Sequence, residues 1–224
     1  MGREDQRYTL TYKRGGKLKA SLVWDQIPLF MSETTATLYT GIGTGTLRLA
    51  DGIQQAGQTA AANTANFIGG AQPFDLRSRR DVLKLDVIFR PTPEVDLTLN
   101  LKNTVREGTM PYGLYLTQPI ESPVPIDTRT TDIGTSLQWT KAKGRLSVGY
   151  AGSWFDNHVS TLVWDNPWRA DDSATLGSAQ GRMALSPNNT LHALTASGAL
   201  EMAGHSNLTA SLTFGRANQN ETLL

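Results

Sequence analysis

Hydrophobic and polar residues alternate one by one along several stretches of the chain. Apolar side chains occupy every second position over residues 8–12, and the same period returns over residues 18–24, after the pair Gly15-Gly16. A period of two is typical of a β-strand that has one apolar and one polar face. Two such runs separated by a short glycine turn predict a β-hairpin.

The same unit recurs three more times, which predicts four hairpins and eight strands. The hairpins span residues 7–26, 82–104, 131–155 and 190–215. Their turns are predicted near Gly15-Gly16, Thr92-Pro93, Ala142-Lys143 and Ala203-Gly204. Each run is long enough to supply the about 9–11 residues with which a tilted strand crosses a bilayer.

The connections between the hairpins are much longer than the turns within them. They cover residues 28–80, 106–129 and 157–188, and we expect them to be external loops. Long loops on one side and short turns on the other are typical of a transmembrane β-barrel. A soluble sandwich also alternates, but its turns recur every 8–12 residues or so. The pattern therefore favours an all-β fold, an antiparallel up-and-down transmembrane β-barrel formed by one domain over residues 1–224.

The parity of the alternation predicts which side chains face lipid. The lipid-facing residues are expected to be Leu83, Leu85, Val87, Leu97, Leu99, Leu101, Leu137, Val148 and Leu212. The lumen-facing residues are expected to include Lys84, Asp86, Asn100, Lys102 and Gln138. Aromatic residues near both ends of the strands suit the two aromatic girdles of such barrels; they are Trp24, Phe89, Trp139 and Trp154.

The two ends of the sequence favour an open segment of a larger barrel over a closed eight-stranded one. The first seven residues contain no apolar signal segment, and polar residues follow the last alternating run, which ends at Phe214. We therefore expect a curved, open eight-stranded sheet in which residues 8–13 and 208–214 are unpaired edges.

Charge and cysteine content exclude several classes of function. There are 21 Lys and Arg against 20 Asp and Glu, a formal net charge of +1, so there is no electrostatic footprint for nucleic acid. The chain contains no cysteine. Disulfides, thiolate metal sites, a cysteine nucleophile and covalent haem attachment through C-x-x-C-H are therefore excluded.

Two segments carry residue types that could perform chemistry. Asp156, His158 and Ser160 lie close together, but a hydrolytic triad is defined by geometry in space rather than by sequence proximity. Asp165, Asp171 and Asp172 could supply oxygen ligands to calcium, although their spacing does not match an EF-hand. For both segments a solvated polar loop is the favoured interpretation.

Two further segments carry possible binding motifs. The glycine-rich stretch 41–46 lacks the lysine and the flanking strand and helix that phosphate-binding loops need. The proline-rich stretch 119–127 favours an extended lead-in to the next strand over a recognition motif.

Several segments resemble the MtrB/PioB type of decahaem-associated outer-membrane barrels. The first is Pro123–Thr131, which leads into an alternating strand. The second is similar to that family's Trp-Asp-Asn-Pro loop and comprises Trp164, Asp165, Asn166, Pro167, Trp168 and Arg169. Leu185–Asn189 and Thr213–Arg216, with Gln219, are similar to the segments that follow.

The resemblance implies a bacterial outer-membrane barrel that sheaths and positions a multihaem c-type cytochrome, so that electrons cross the membrane. Its partners would be that cytochrome and outer-membrane lipid. The haem would be carried by the cytochrome, and this chain would bind no cofactor and no metal and would have no catalytic residues. A general diffusion porin is the alternative, and an outer-membrane hydrolase that uses Asp156 and His158 is a further one.

Overall fold

The computed structural model describes residues 5–59, 70–115, 119–169, 172, 179–204 and 206–219. Its elements in chain order are β1 (Arg7–Arg14), β2 (Leu18–Thr37), β3 (Thr46–Leu47), α1 (Asp51–Thr59), β4 (Gln72–Thr92), β5 (Val95–Tyr115), β6 (Pro119–Lys141), β7 (Gly144–Asn157), β8 (Thr161–Asp165), β9 (Gln180–Ala184), β10 (Asn189–Met202) and β11 (Ser206–Gln219). In the part of the chain that is described, no helix has the length and apolar character needed to span a membrane.

Eight strands form one antiparallel sheet in the order β1-β2-β4-β5-β6-β7-β10-β11. Each predicted hairpin is present, and its short turn lies where the alternation breaks. The sheet is not closed, because β1 and β11 are its two edges and do not pair with each other. The predicted fold class, an open antiparallel sheet of barrel type, is confirmed.

Successive short turns are displaced steadily along the strand direction from one side of the sheet to the other, and this displacement gives the strand tilt. Following the residues that lie opposite Leu18 from strand to strand across the sheet leads to Ala196 on β10. The last hairpin, however, ends at Met202, six residues further on. This offset is about 20 Å along the strands, over about 29 Å between the first and last hairpins. If the turns lie in one membrane plane, the strands tilt by about 35°, a value found in outer-membrane barrels.

The predicted loop over residues 106–129 is wrong, because strands occupy most of it. β5 continues to Tyr115 and β6 begins at Pro119, and the two pair without a register shift. The alternation fades here because an extension beyond the bilayer need not present apolar side chains to lipid. Beyond Gly108, β5 and β6 have no other partner in the eight-stranded sheet, so prolines that lack an N–H donor are tolerated on this two-stranded ribbon.

The predicted loops over residues 28–80 and 157–188 also contain regular structure. β2 extends to Thr37 and β4 begins at Gln72, with two register irregularities between them. The remaining parts of the two segments contribute β3, α1, β8 and β9. The strands β3, β8 and β9 form a second sheet, in which β3 and β8 are parallel and β8 and β9 antiparallel. We call this sheet, together with α1, the three-stranded unit.

Candidate functional site

The register divides the eight-stranded sheet into two faces. Residues directly opposite each other in an antiparallel pair point to the same side. Successive pairs from Leu85 through Leu101 to Ile133 therefore share one face. By the same reasoning, all nine residues predicted to face lipid lie on this side, which we call the apolar face. The residues of opposite parity form the polar face.

The apolar face carries aromatic side chains near both ends of the strands. Close to a short turn, the ammonium of Lys141 lies 5.3 Å from the ring centroid of Trp139. Nearer the opposite ends, the Tyr150 hydroxyl and His192 Nδ1 are 2.8 Å apart, and the ring of Trp154 meets His192 edge-on. Amphipathic rings at two levels suit the two boundaries of a lipid bilayer.

All five residues predicted to face the lumen lie on the polar face. Lys84 lies opposite Lys102, and Asp86 lies opposite Asn100, whose side-chain amide donates a 2.7 Å hydrogen bond to the Asp86 carboxylate. Gln138 lies on the same side, two strands further along. Four of the five, Gln138 being the exception, line a shallow depression of about 450 Å³. In an outer-membrane barrel the polar side of the wall faces the interior.

Part of the polar face on β7, β10 and β11 is formed by small, uncharged side chains. Three successive rows across β7, β10 and β11 contain Ser147, Ser197, Ser211, Gly149, Thr195, Thr213, Ala151, Ala193 and Gly215. We call these nine residues the small-residue wall. Because none of them extends far from the backbone, a second body could approach the sheet closely here.

The motif loop that begins at Trp164 forms the core of the three-stranded unit. Trp164 is buried together with Leu47 and Leu162, and all three belong to one hydrophobic cluster. Gly181 on β9 lies directly opposite Trp164, and a Cβ atom there would overlap the indole ring. A glycine is therefore required at this close approach.

Asp165 fixes the three-stranded unit through its carboxylate and its carbonyl. The side chain is 1% exposed, and its carboxylate oxygens accept hydrogen bonds from the Leu49 N–H and the Gln180 side-chain amide, both at 2.8 Å. Arg48 lies 3.7 Å from the same carboxylate. The Tyr39 hydroxyl donates to the Asp165 carbonyl at 2.9 Å. Burial, and to a lesser extent the charge of Asp165, raises the pKa of Tyr39 above its ordinary value.

These contacts give Asp165 a role in holding the fold rather than a cation. Both carboxylate oxygens already face N–H donors, and a guanidinium supplies the positive charge. Among the described residues, no group of three acidic or histidine side chains is arranged to hold a metal ion. Of the other two predicted calcium ligands, Asp172 is exposed and Asp171 lies outside the described residues.

The rest of the motif loop is held by hydrogen bonds between side chains and the backbone. The Asn166 side chain accepts a hydrogen bond from the Trp168 N–H at 3.0 Å, and the Asn166 carbonyl accepts one from Gln54 of α1. Trp168 itself is 42% exposed. Pro167 and Arg169 lie in the same turn. The loop that resembles a family motif is thus mainly a structural element, with one indole left at the surface.

The three-stranded unit packs on the polar face of the β5–β6 ribbon. Val124 of β6 belongs to its buried cluster, and Met110, directly opposite Val124 on β5, packs against it. Both have the parity of Lys102 along an unbroken register, so they point to the polar side. The unit therefore lies on the inward side of the wall, at the strand ends opposite the short turns, and is farther from those turns than the apolar band is long.

The segment predicted as a possible hydrolytic site is arranged differently. His158 Nδ1 lies 2.7 Å from the Asp127 carboxylate, and both side chains are about half exposed. Asp156 lies opposite Arg129 in the β6–β7 pairing. Within the described residues, no hydrogen bond joins the Ser160 hydroxyl to His158, so a hydrogen-bonded Ser-His-Asp arrangement is not formed.

The glycine-rich stretch 41–46 forms a turn before β3. The Gly41 carbonyl accepts hydrogen bonds from the N–H and the hydroxyl of Thr44, and Gly41 has a positive φ of 82°. The turn is thus closed on itself, as expected for a structural connection.

The three-stranded unit and the Asp127–His158 pair were not predicted from the sequence. The unit combines short segments that are more than a hundred residues apart, and β3 is only two residues long. A local signal did exist in the run from Thr161 to Trp164, which is rich in β-branched and aromatic residues.

Comparisons with known proteins give a consistent result. The family model described as outer membrane beta-barrel porin, MtrB/PioB, matches residues 1–224. The chain is 22% identical over 227 residues to the outer membrane protein MtrB of Shewanella baltica (strain OS185), an alignment that covers all of this chain and 32% of that protein. The chain therefore spans about a third of that relative's length.

Among solved structures, the chain is similar to OmpT, an outer membrane protein of Vibrio cholerae in its trimer form. The TM-score is 0.45 at 7% sequence identity, and the match covers 95% of this chain and 45% of that one.

Proposed function

The chain belongs to the MtrB/PioB family of outer-membrane β-barrel porins, and from this premise we propose that it forms part of a sleeve around a multihaem c-type cytochrome. In this role the apolar face contacts the lipid of the bacterial outer membrane, and the polar face surrounds the cytochrome. The haem groups carry the electrons. The chain itself positions the cytochrome, excludes lipid and binds no cofactor.

The small-residue wall is the observation that carries this proposal. Its nine residues leave a broad part of the polar face without charge and without long side chains. A protein surface can pack closely against such a wall, and close packing excludes lipid and water from the electron path. The resemblance of the motif segments to decahaem-associated barrels supports a multihaem cytochrome as the occupant.

A general diffusion porin remains the second candidate, and the charged half of the polar face favours it. Lys84, Asp86 and Lys102 project from adjacent strands and would suit a water-filled interior. The two candidates differ only in whether a protein fills the interior. An outer-membrane hydrolase receives no support from the Asp127–His158 pair, because no hydrogen bond within the described residues joins a serine or threonine hydroxyl to His158.

Single cysteines on neighbouring positions of β10 test the proposal. The chain has no cysteine, so Ser197→Cys on the small-residue wall and Ala196→Cys on the apolar face each create a unique thiol. The thiols are labelled in outer membranes with a membrane-impermeant maleimide, with and without the cytochrome.

The sleeve predicts that Ser197→Cys is protected when the cytochrome is present and labelled when it is absent. Ala196→Cys should resist the impermeant reagent in both cases and react with a lipid-soluble one. Equal labelling of Ser197→Cys in both membranes would support the diffusion porin instead. Labelling of Ala196→Cys by the impermeant reagent would contradict the assignment of the faces.

A further inference from the structure

Four cations form a compact column on the polar face of β4 and β5. Arg80 lies directly opposite Arg106, and Lys84 lies directly opposite Lys102. On this face only the pair Val82 and Thr104 lies between the two pairs of cations, so these pairs are about 13 Å apart along the strands. All four side chains are exposed. We call these four residues the cationic ladder.

Within the described residues, no carboxylate forms an ion pair with the cationic ladder, although Asp132 lies directly opposite Lys102. Asp86 and Asp132 lie beside it on the same face, but Asp86 accepts its hydrogen bond from Asn100 and Asp132 accepts one from Ser153, each at 2.7 Å. Neither forms an ion pair with a cation of the ladder.

Two other carboxylates of this face form ion pairs, in contrast to the ladder. Asp25 lies 3.5 Å from Arg7, and Asp96 lies 2.7 Å from Arg90. The sheet thus forms ion pairs beside an edge strand and near a turn, whereas no ion pair among the described residues joins a carboxylate to the four adjacent cations of the ladder.

Like charges directly opposite each other on neighbouring strands are destabilising. Two such pairs in one column concentrate positive potential on a wall that borders lipid on its other side, where the low dielectric weakens screening. Arginine and lysine both donate charge-assisted hydrogen bonds to carboxylates, and arginine can do so with two parallel bonds. An acidic ligand would relieve the repulsion.

We propose that the cationic ladder is a binding site for carboxylate groups in the interior of the barrel. The pairs of cations would each bind one carboxylate, so the site suits a ligand with acidic groups about 13 Å apart, or two separate ones. The carboxylates come either from acidic side chains and haem propionates of the protein occupant or from dissolved organic anions. The interior location rests on the proposed function, whereas the affinity for carboxylates does not require a cytochrome.

The first experiment measures citrate binding to the protein in detergent, without cytochrome, by isothermal titration calorimetry. Replacing Lys84 and Lys102 together by Gln should weaken citrate binding about tenfold. Added salt should weaken the binding of citrate to the wild-type protein. Replacing the same two residues by Arg keeps the charge and should keep the affinity. The matched control replaces Lys17 and Lys143 by Gln, which removes the same charge from two short turns and should change nothing.

The second experiment identifies the source of the carboxylate. Replacing Lys84 and Lys102 by Glu should reduce co-purification of the cytochrome if the occupant supplies the acidic groups, whereas Glu at Lys17 and Lys143 should not. Normal co-purification together with lost citrate binding supports the site and assigns it to dissolved anions. If wild-type protein binds no citrate, or the Gln variant at Lys84 and Lys102 binds it equally well, the proposal is overturned. Absence of any cytochrome binding by the wild type contradicts the proposed function alone.

Discussion

A positive charge should be costly on one face of the sheet and tolerated on the other. Leu99 lies on the apolar face between Val87 and Thr135, and the neighbouring Asn100 lies on the polar face. Leu99 is four residues beyond Val95, where β5 begins, or about 14 Å along the strand. At a tilt of about 35° this is about 11 Å of depth, close to the middle of the about 25 Å apolar band of an outer-membrane barrel.

Leu99→Lys should therefore lower the free energy of unfolding in lipid vesicles by about 2–4 kcal/mol. Asn100→Lys loses the hydrogen bond to Asp86 but places an ammonium next to that carboxylate, so its cost should stay within about 1 kcal/mol. Both values are measured by denaturant titration of the protein folded into vesicles. Leu99→Ala separates the loss of the side chain from the added charge and should cost clearly less than Leu99→Lys. Equal costs for Lys at the two positions would refute the assignment of the faces.

Three further predictions concern the three-stranded unit. Asp165→Ala leaves two buried N–H donors without an acceptor and should destabilise the unit by about 2–5 kcal/mol. The loss is measured as faster limited proteolysis, and Asp165→Asn should have an intermediate effect. Unchanged cleavage would contradict the structural role of Asp165. Gly181→Ala forces a methyl group into the ring of Trp164 and should diminish the near-ultraviolet circular dichroism of that indole, whereas Gly52→Ala on open surface should not. Because the pKa of Tyr39 is raised in the folded unit, the unfolded unit loses the phenol proton at a lower pH than the folded one, near pH 10. Stability of the unit that is present below about pH 10 is therefore lost as the pH rises above it. Tyr39→Phe should remove this alkaline loss, followed as cleavage rate against pH, and an unchanged alkaline loss would show that another group causes it.

The membrane-crossing part of the fold could be predicted because lipid imposes a period of two. Leu83, Leu85 and Val87 must share a face if their strand crosses a bilayer, and the register confirms that they do. Beyond the bilayer this constraint ends. The β5–β6 ribbon continues through Pro111 and Pro123, which pair with each other, although prolines are usually taken to end a strand.

The site was only partly predictable, because burial and long-range pairing are not visible in a local pattern. Asp165 resembled a metal ligand as long as its neighbours were the residues next to it in sequence. The fold instead brings it to Leu49 and Gln180, whose N–H donors use both of its oxygens. The cationic ladder was visible only in part, since Lys84 and Lys102 could be assigned to one face but their direct opposition depends on the register.

Electron transfer across a sealed membrane tests the proposed sleeve most directly. Vesicles that enclose a redox dye are reconstituted with the protein and its cytochrome together, with each alone, and with neither, and a reductant is added outside. We expect the dye to be reduced only when both proteins are present, while a small uncharged solute stays trapped inside. Leakage of the solute in the complete vesicles, or equal dye reduction by the cytochrome alone, would contradict it.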